Sequence, residues 1–246
     1  MAKLPGRPRT ARAAALAIGA VILAVAAIAF LLVYFVVFPT SSPKPFSLST
    51  STGTTTRAGA TTVSPASLAG RWEIASGSEA GYRVREKLAF LPAESDAVGR
   101  TSQISGDATF TQSAGTVTIR AASFSVAVNT LTSDRSMRDE KIHTIGLESD
   151  TYPTATFVLS TPLTLRASAL SGHVARASAT GVLTIHGTSR RETVPVEMTL
   201  SGSTVYATGS LTFPWSTFNM TAPSIAGFVT VTDRATMEFD LGLQRS

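Results

Sequence analysis

The chain has 246 residues, a formal charge of +5 and no cysteine, which excludes a disulfide framework, a thiolate metal site, a cysteine nucleophile and a lipid-modified cysteine. The charge is uneven: residues 1–69 carry Lys3, Arg7, Arg9, Arg12, Lys44 and Arg57 with no acidic residue, whereas residues 70–246 hold 15 Lys/Arg against 16 Asp/Glu. The basic isoelectric point therefore belongs to the N-terminal part, and the remainder has no nucleic-acid footprint.

Residues 1–12 are a basic N-terminal tail. From Ala13 to Phe38, 26 residues carry no charge. At about 1.5 Å per residue, a helix of that length exceeds the roughly 30 Å hydrocarbon core of a bilayer. A secretory signal has a shorter apolar region and a small-residue cleavage site, but this run ends in the bulky Phe38-Pro39. We therefore read 13–38 as a single uncleaved transmembrane helix. With Arg7, Arg9 and Arg12 on its N-terminal side, the positive-inside rule expects a single-pass cell-membrane protein, N-terminus cytoplasmic and the rest extracytoplasmic. Residues 39–69 are rich in Ser, Thr and Pro, with too few apolar side chains to offset the entropy of ordering, and are expected to be a flexible linker.

Residues 70–246 form one domain, long enough to bury a core. Its dominant period is two. Leu183 and Ile185, then Val194, Val196, Met198 and Leu200, then Met237, Phe239, Leu241 and Leu243 alternate with mostly polar neighbours, as strands with one buried face do. Between 116 and 128 the apolar parity switches from Val117 and Ile119 to Phe124, Val126 and Val128. One extra residue around Ala121-Ala122-Ser123 restores a single face, which predicts a β-bulge. Residues 132–143 break the pattern. Thr132, Ser133 and Asp134 are N-cap candidates and Met137 and Ile142 can pack inward, which predicts a short helix closing at Gly146. Eight to ten strands with one or two short inserted helices favour a closed antiparallel β-barrel over a sandwich, an all-β fold.

Candidate chemistry is sparse. His143, His173 and His186 lack ligand spacing, so no metal site is expected; His143 and His186 are read as satisfied polar groups fixing turns. Adjacent on a helix, Arg138 and Asp139 do not face each other and are expected to pin that helix to the barrel. Glu86 shares the parity of Tyr82, Val84, Leu88 and Phe90, which points it at the apolar face. A buried carboxylate is costly unless paired. Either it contacts a ligand head group inside the barrel or, the default, a bulge near Arg85 turns it outward.

Several segments in order carry a family resemblance: Val98-Gly99-Arg100-Thr101, Ile104 to Phe110, Val128-Asn129-Thr130-Leu131, Arg138 to Ile142, Tyr152 to Phe157, and Gly181 to Thr188. In this order and spacing the chain resembles the YceI-like family over most of residues 71–243. The resemblance implies a lipocalin-like antiparallel barrel whose apolar cavity holds a polyisoprenoid or other long-chain amphipathic lipid. Where many relatives have an Arg-containing strand near the C-terminus, this chain reads Leu211 to Met220 without one.

The cavity lining expected from the early strand is Tyr82, Val84, Glu86, Leu88 and Phe90. From later strands it is Phe124, Val126, Phe157, Ile185 and Trp215. The leading reading is a membrane-anchored lipid-binding module with no cofactor, as a monomer or homodimer. The alternative is a structural or envelope-stress interaction domain whose barrel is filled by its own side chains. An enzyme is disfavoured because no catalytic constellation is assembled. Protease added to intact spheroplasts is expected to digest residues 71–246; protection of that region, with the N-terminus accessible, would reverse the orientation.

Overall fold

The period-two segments are realised as one antiparallel sheet of twelve strands in this computed structural model, which describes residues 23–25, 42–48, 67–89, 94–225 and 229–246. In chain order these are β1 (Gly70–Ile74), β2 (Glu79–Leu88), β3 (Glu94–Thr101), β4 (Ile104–Ser113), β5 (Thr116–Ala127) and β6 (Thr154–Leu159). They continue as β7 (Leu163–Arg166), β8 (Ala175–Ile185), β9 (Thr188–Ser201), β10 (Thr204–Pro214), β11 (Ser224–Ile225) and β12 (Val229–Arg245). The ring runs β1-β4-β5-β6-β8-β9-β10-β12, with β7 sharing the β6 side of β5, so eight positions enclose the interior. It closes where Trp72, Glu73 and Ile74 pair with Arg245, Gln244 and Leu243. The other end of β12 instead pairs β2, and β3 extends that hairpin. The far edge of β3 is tied down where the Arg100 and Thr132 backbones exchange bonds of 2.9 and 3.1 Å.

Local sequence accounts for the ring's details. Thr109 pairs Ala121 and Phe110 pairs Ile119, so Arg120 is the extra residue of a bulge, one position before the predicted triplet. The bulge returns Val117, Ile119, Phe124 and Val126 to the inner face, as the parity switch requires. The β8–β9 hairpin turns on His186 and Gly187, whose φ values of 51° and 67° are the paired positive angles of a two-residue primed turn.

The predicted inserted helix is present but built differently. Helix α1 (Ser136–Lys141) runs into a π-helical turn, Ile142–Gly146. Its N-cap is Arg135 with no side-chain cap, not Thr132, Ser133 or Asp134. The Asp139 carboxylate instead reaches back to accept the Ser133 N–H at 2.8 Å. Ile142 packs inward at 3% exposure, whereas Met137 is 63% exposed, because the helix is short enough to bury one side only. A second short helix, α2 (Ala167–Leu170), sits between β7 and β8. The core divides into two clusters: one around Trp72, Phe110, Leu170 and Val205, the other around Tyr82, Ile142, Trp215 and Phe218.

The expected transmembrane helix at 13–38 lies, apart from 23–25, outside the described residues, and among the described residues no helix is long and apolar enough to cross a membrane. Within the expected linker, 42–48 and 67–69 are described, and both stretches touch the barrel. Leu68 is buried, its N–H donates to Gln112 Oε1 at 2.6 Å, and its carbonyl accepts the Trp72 indole N–H at 2.9 Å. Further up, Arg83 donates to the Pro43 carbonyl at 2.7 Å and Arg100 to the Lys44 carbonyl at 2.6 Å. The Arg100 guanidinium also stacks 3.8 Å above the Phe46 ring. Prolines hold their neighbours extended and leave carbonyls unbonded within the segment, and these arginines donate to them. Both arginines also pair with Glu238, which alternates along β12 with the lumen-lining Met237 and Phe239 and is only 3% exposed.

Deleting Arg120 would remove the extra residue and set Ile119 and Phe124 four positions apart, which keeps Phe124 and Val126 on the inner face of a regular ladder. The deletion variant is expected to keep a single cooperative thermal transition; its loss, by more than about 4 kcal/mol, would refute the bulge.

Candidate ligand-binding cavity

Inward side chains of strands from both clusters leave a cavity of about 210 Å³ inside the barrel. Its lining includes Phe110, Val194 and Leu243 of one cluster and Ile142, Trp215 and Met220 of the other, so it extends from one cluster to the other. Apolar cavities of about 150 Å³ stay dry and accept small hydrocarbon guests. Among the expected residues, Tyr82, Phe124, Val126, Phe157, Ile185 and Trp215 line it. Val84 is buried in the second cluster without reaching the cavity. The side chain of Leu88, and Phe90 entirely, lie outside the described residues. Met198, Met237 and Phe239 also line it; the same period-two parity marks them, but parity does not separate a lumen wall from a filled core.

Four of the lining aromatics lie across a glycine on the neighbouring strand. A Cβ at Gly99 would stand 2.3 Å from Tyr82 Cε1, and one at Gly181 would stand 2.5 Å from Phe157 Cζ. At Gly209 it would meet Phe239 Cζ at 2.6 Å, and at Gly106 it would meet Phe124 Cδ1 at 2.9 Å. Tyr82, Phe124 and Phe239 sit directly opposite their glycines in the strand register, and Phe157 sits diagonally from Gly181. The rings therefore lean along the wall.

Glu86 does not line the cavity, and no bulge at Arg85 turns it outward. The register shift lies on the partner strand, between Val231 and Ala235. Glu86 stays inward, 9% exposed, because Arg138 of α1 donates to its Oε1 at 2.6 Å. Asp134 holds the other face of the guanidinium, and Arg138 Nε is buried without a partner. Burial alone would lower the Arg138 pKa, but the hydrogen bonds and charges of Glu86 and Asp134 together outweigh it and raise it. Arg138 thus pins the helix to the barrel as expected, whereas Asp139 accepts the Ser133 N–H from the segment just before the helix and makes a local contact instead. Nearby, the Tyr82 hydroxyl is buried and unbonded, and burial pushes its pKa well above the usual phenol value despite the Arg138 charge. His143 Nδ1 shares a hydrogen bond with the buried Ser149 hydroxyl, a turn-fixing role as expected. His186 does sit in the β8–β9 turn but is not the satisfied polar group expected there: it packs against Tyr152 with ring centroids 4.3 Å apart, and both its ring nitrogens are buried without a hydrogen bond. Glu148 Oε1 lies 3.5 Å from its Nε2, within ion-pair range only. Among the described residues no three His, Asp or Glu side chains are grouped to hold a metal ion.

The YceI-like domain model matches residues 72–243. A polyisoprenoid binding domain from Saccharophagus degradans, implicated in plant cell wall breakdown, superimposes with a TM-score of 0.52 at 14% identity, covering 72% of this chain and 99% of that one. BcnA of Burkholderia cenocepacia gives 0.48 at 23% identity, covering 66% and 95%. The YceI protein of Campylobacter jejuni gives 0.45 at 12% identity, covering 60% and 84%. No curated protein matches the chain. The Saccharophagus structure shares the barrel fold.

The Glu86–Arg138 pair yields a direct test of how α1 is held. Arg138→Met is expected to destabilise the protein by roughly 3 kcal/mol, because it strands a buried carboxylate. The Glu86→Leu/Arg138→Met double variant is expected to recover most of that loss in urea melts. Additive losses would show that the pair does not hold the helix.

Proposed function

The chain belongs to the YceI-like domain family, and on that premise we propose that it binds a long-chain amphipathic lipid, of the polyisoprenoid kind, inside its barrel. The observation that carries this reading is the apolar cavity shared by both core clusters. A barrel of this strand number has room for its own side chains or one guest, and the unfilled interior favours the guest over a self-filled structural domain. The description of the Saccharophagus relative as polyisoprenoid binding supports the ligand class. The function is binding, with no catalytic step. We also propose that residues 13–38 anchor the protein in the cell membrane with the barrel on the outer side. The lipid's reservoir is then the bilayer to which the barrel is tethered.

Each buried CH2 contributes about 0.8 kcal/mol, so affinity for a homologous series of prenols or fatty alcohols is expected to rise about fourfold per methylene and then plateau. Phe157→Ala is expected to change that profile, with its own stability cost of roughly 3–5 kcal/mol read separately from thermal melts. Native protein yielding no lipid on organic extraction and mass spectrometry, and no chain-length trend with added ligands, would favour the self-filled domain.

A further inference from the structure

The bore of the cavity depends on what the glycines lack. An inward aromatic on a barrel strand ordinarily projects toward the axis, since strand side chains stand roughly perpendicular to the sheet. With four such rings the lumen of an eight-position barrel would be largely occupied. Here each ring leans sideways over a neighbouring glycine, into the volume a Cβ would fill. Phe124 and Phe157 do so from paired positions on β5 and β6, while Tyr82 and Phe239 do so on β2 and β12. All four line the same cavity.

We propose that Gly99, Gly106, Gly181 and Gly209 are specificity-determining residues that set the width of the lumen, and so the length and bulk of the chain it accepts. None of the four glycines lines the cavity itself; each acts through the ring laid across it. The glycines differ in how cleanly they can be tested. At Gly106 a side chain is opposed by a φ of +139° and by the Ser123 carbonyl at 2.1 Å. At Gly181 and Gly209 a Cβ would also meet the Val158 carbonyl at 2.4 Å and the Pro195 carbonyl at 2.7 Å. At Gly99 the three nearest atoms all belong to the Tyr82 side chain, two of the ring at 2.3 and 2.8 Å and the hydroxyl oxygen at 3.0 Å. A methyl group there has one consequence: the ring must leave the wall, and the free space beside it is the lumen.

The lipid part of this inference rests on the proposed function, so the test uses a probe that does not. Xenon enters dry apolar cavities whatever their biological guest. In the full chain, Gly99→Ala is expected to reduce the xenon-induced 129Xe chemical-shift change while circular dichroism stays β-type. The Tyr82→Leu/Gly99→Ala double variant is expected to restore it. The prenol affinity profile of Gly99→Ala is expected to plateau at a shorter chain than that of the parent. Unchanged xenon uptake in folded Gly99→Ala overturns the inference, even if prenols bind the parent normally. The converse result, xenon uptake responding as expected while no lipid binds any variant, sinks the lipid reading and leaves the bore assignment standing. Should Gly99→Ala fold poorly, Tyr82→Leu alone must enlarge xenon uptake, and a failure to do so overturns the inference equally.

Discussion

A closed barrel of eight positions has room inside for its own side chains or for a guest, not for both, and this competition for interior volume governs the rest of the molecule. The strands need large apolar residues inward, because burial of those residues is what drives closure. A guest needs the same volume left open. Placing aromatics opposite glycines lets the wall gain the buried area of a large ring without spending the lumen. Packing is then dense in the two clusters and open between the leaning rings.

Among the described residues, the buried charged side chains around this interior are paired. Arg138 and Glu86 neutralise each other where α1 meets the barrel. A buried pair of this kind is weak evidence for stability and better evidence for fixed placement; it holds the inserted helix at one particular site. On the outer wall, Glu238 receives both Arg83 and Arg100, which have donors left for the Pro43 and Lys44 carbonyls. Val98 of β3, outside both core clusters, is only 5% exposed on the same wall. This wall is thus covered by a segment whose composition gives little sign of order. Its bulky apolar residues, Phe46 and Leu48, are partly buried, as is Ser42.

Much of the barrel is legible in the sequence because parity is a one-dimensional property. Alternation in 194–200 and 237–243 marks the inner face, and the parity switch between Ile119 and Phe124 locates the bulge to within one residue. Properties that depend on partners across strands are not legible in this way. Parity alone points Glu86 inward, but its acceptance there depends on Arg138, 52 residues away. Met137 and Ile142 look equally suited to packing, and only the shortness of α1 decides between them. The cavity is the least legible feature. Tyr82 and Phe157 are expected in the lining, but how their rings leave the lumen open is visible only once the register places Gly99 and Gly181 beside them. The order around 43–48 is hidden for the same reason, since its binding surface is made by β2, β3 and β12.

The ring closes between its first strand and its last, through only Trp72–Ile74 and Leu243–Arg245. Such a contact joins residues some 170 positions apart, and long-range pairings of this sort form late because their loop entropy must be overcome first. During synthesis the other strands are available long before their closing partner. Until β12 emerges, the growing chain can form hairpins such as β4–β5 and β8–β9 but no sealed interior. The unfinished molecule is therefore an open sheet with two bare edges, the state most exposed to mispairing. For this architecture, emergence of the last strand is the step that ends that exposure.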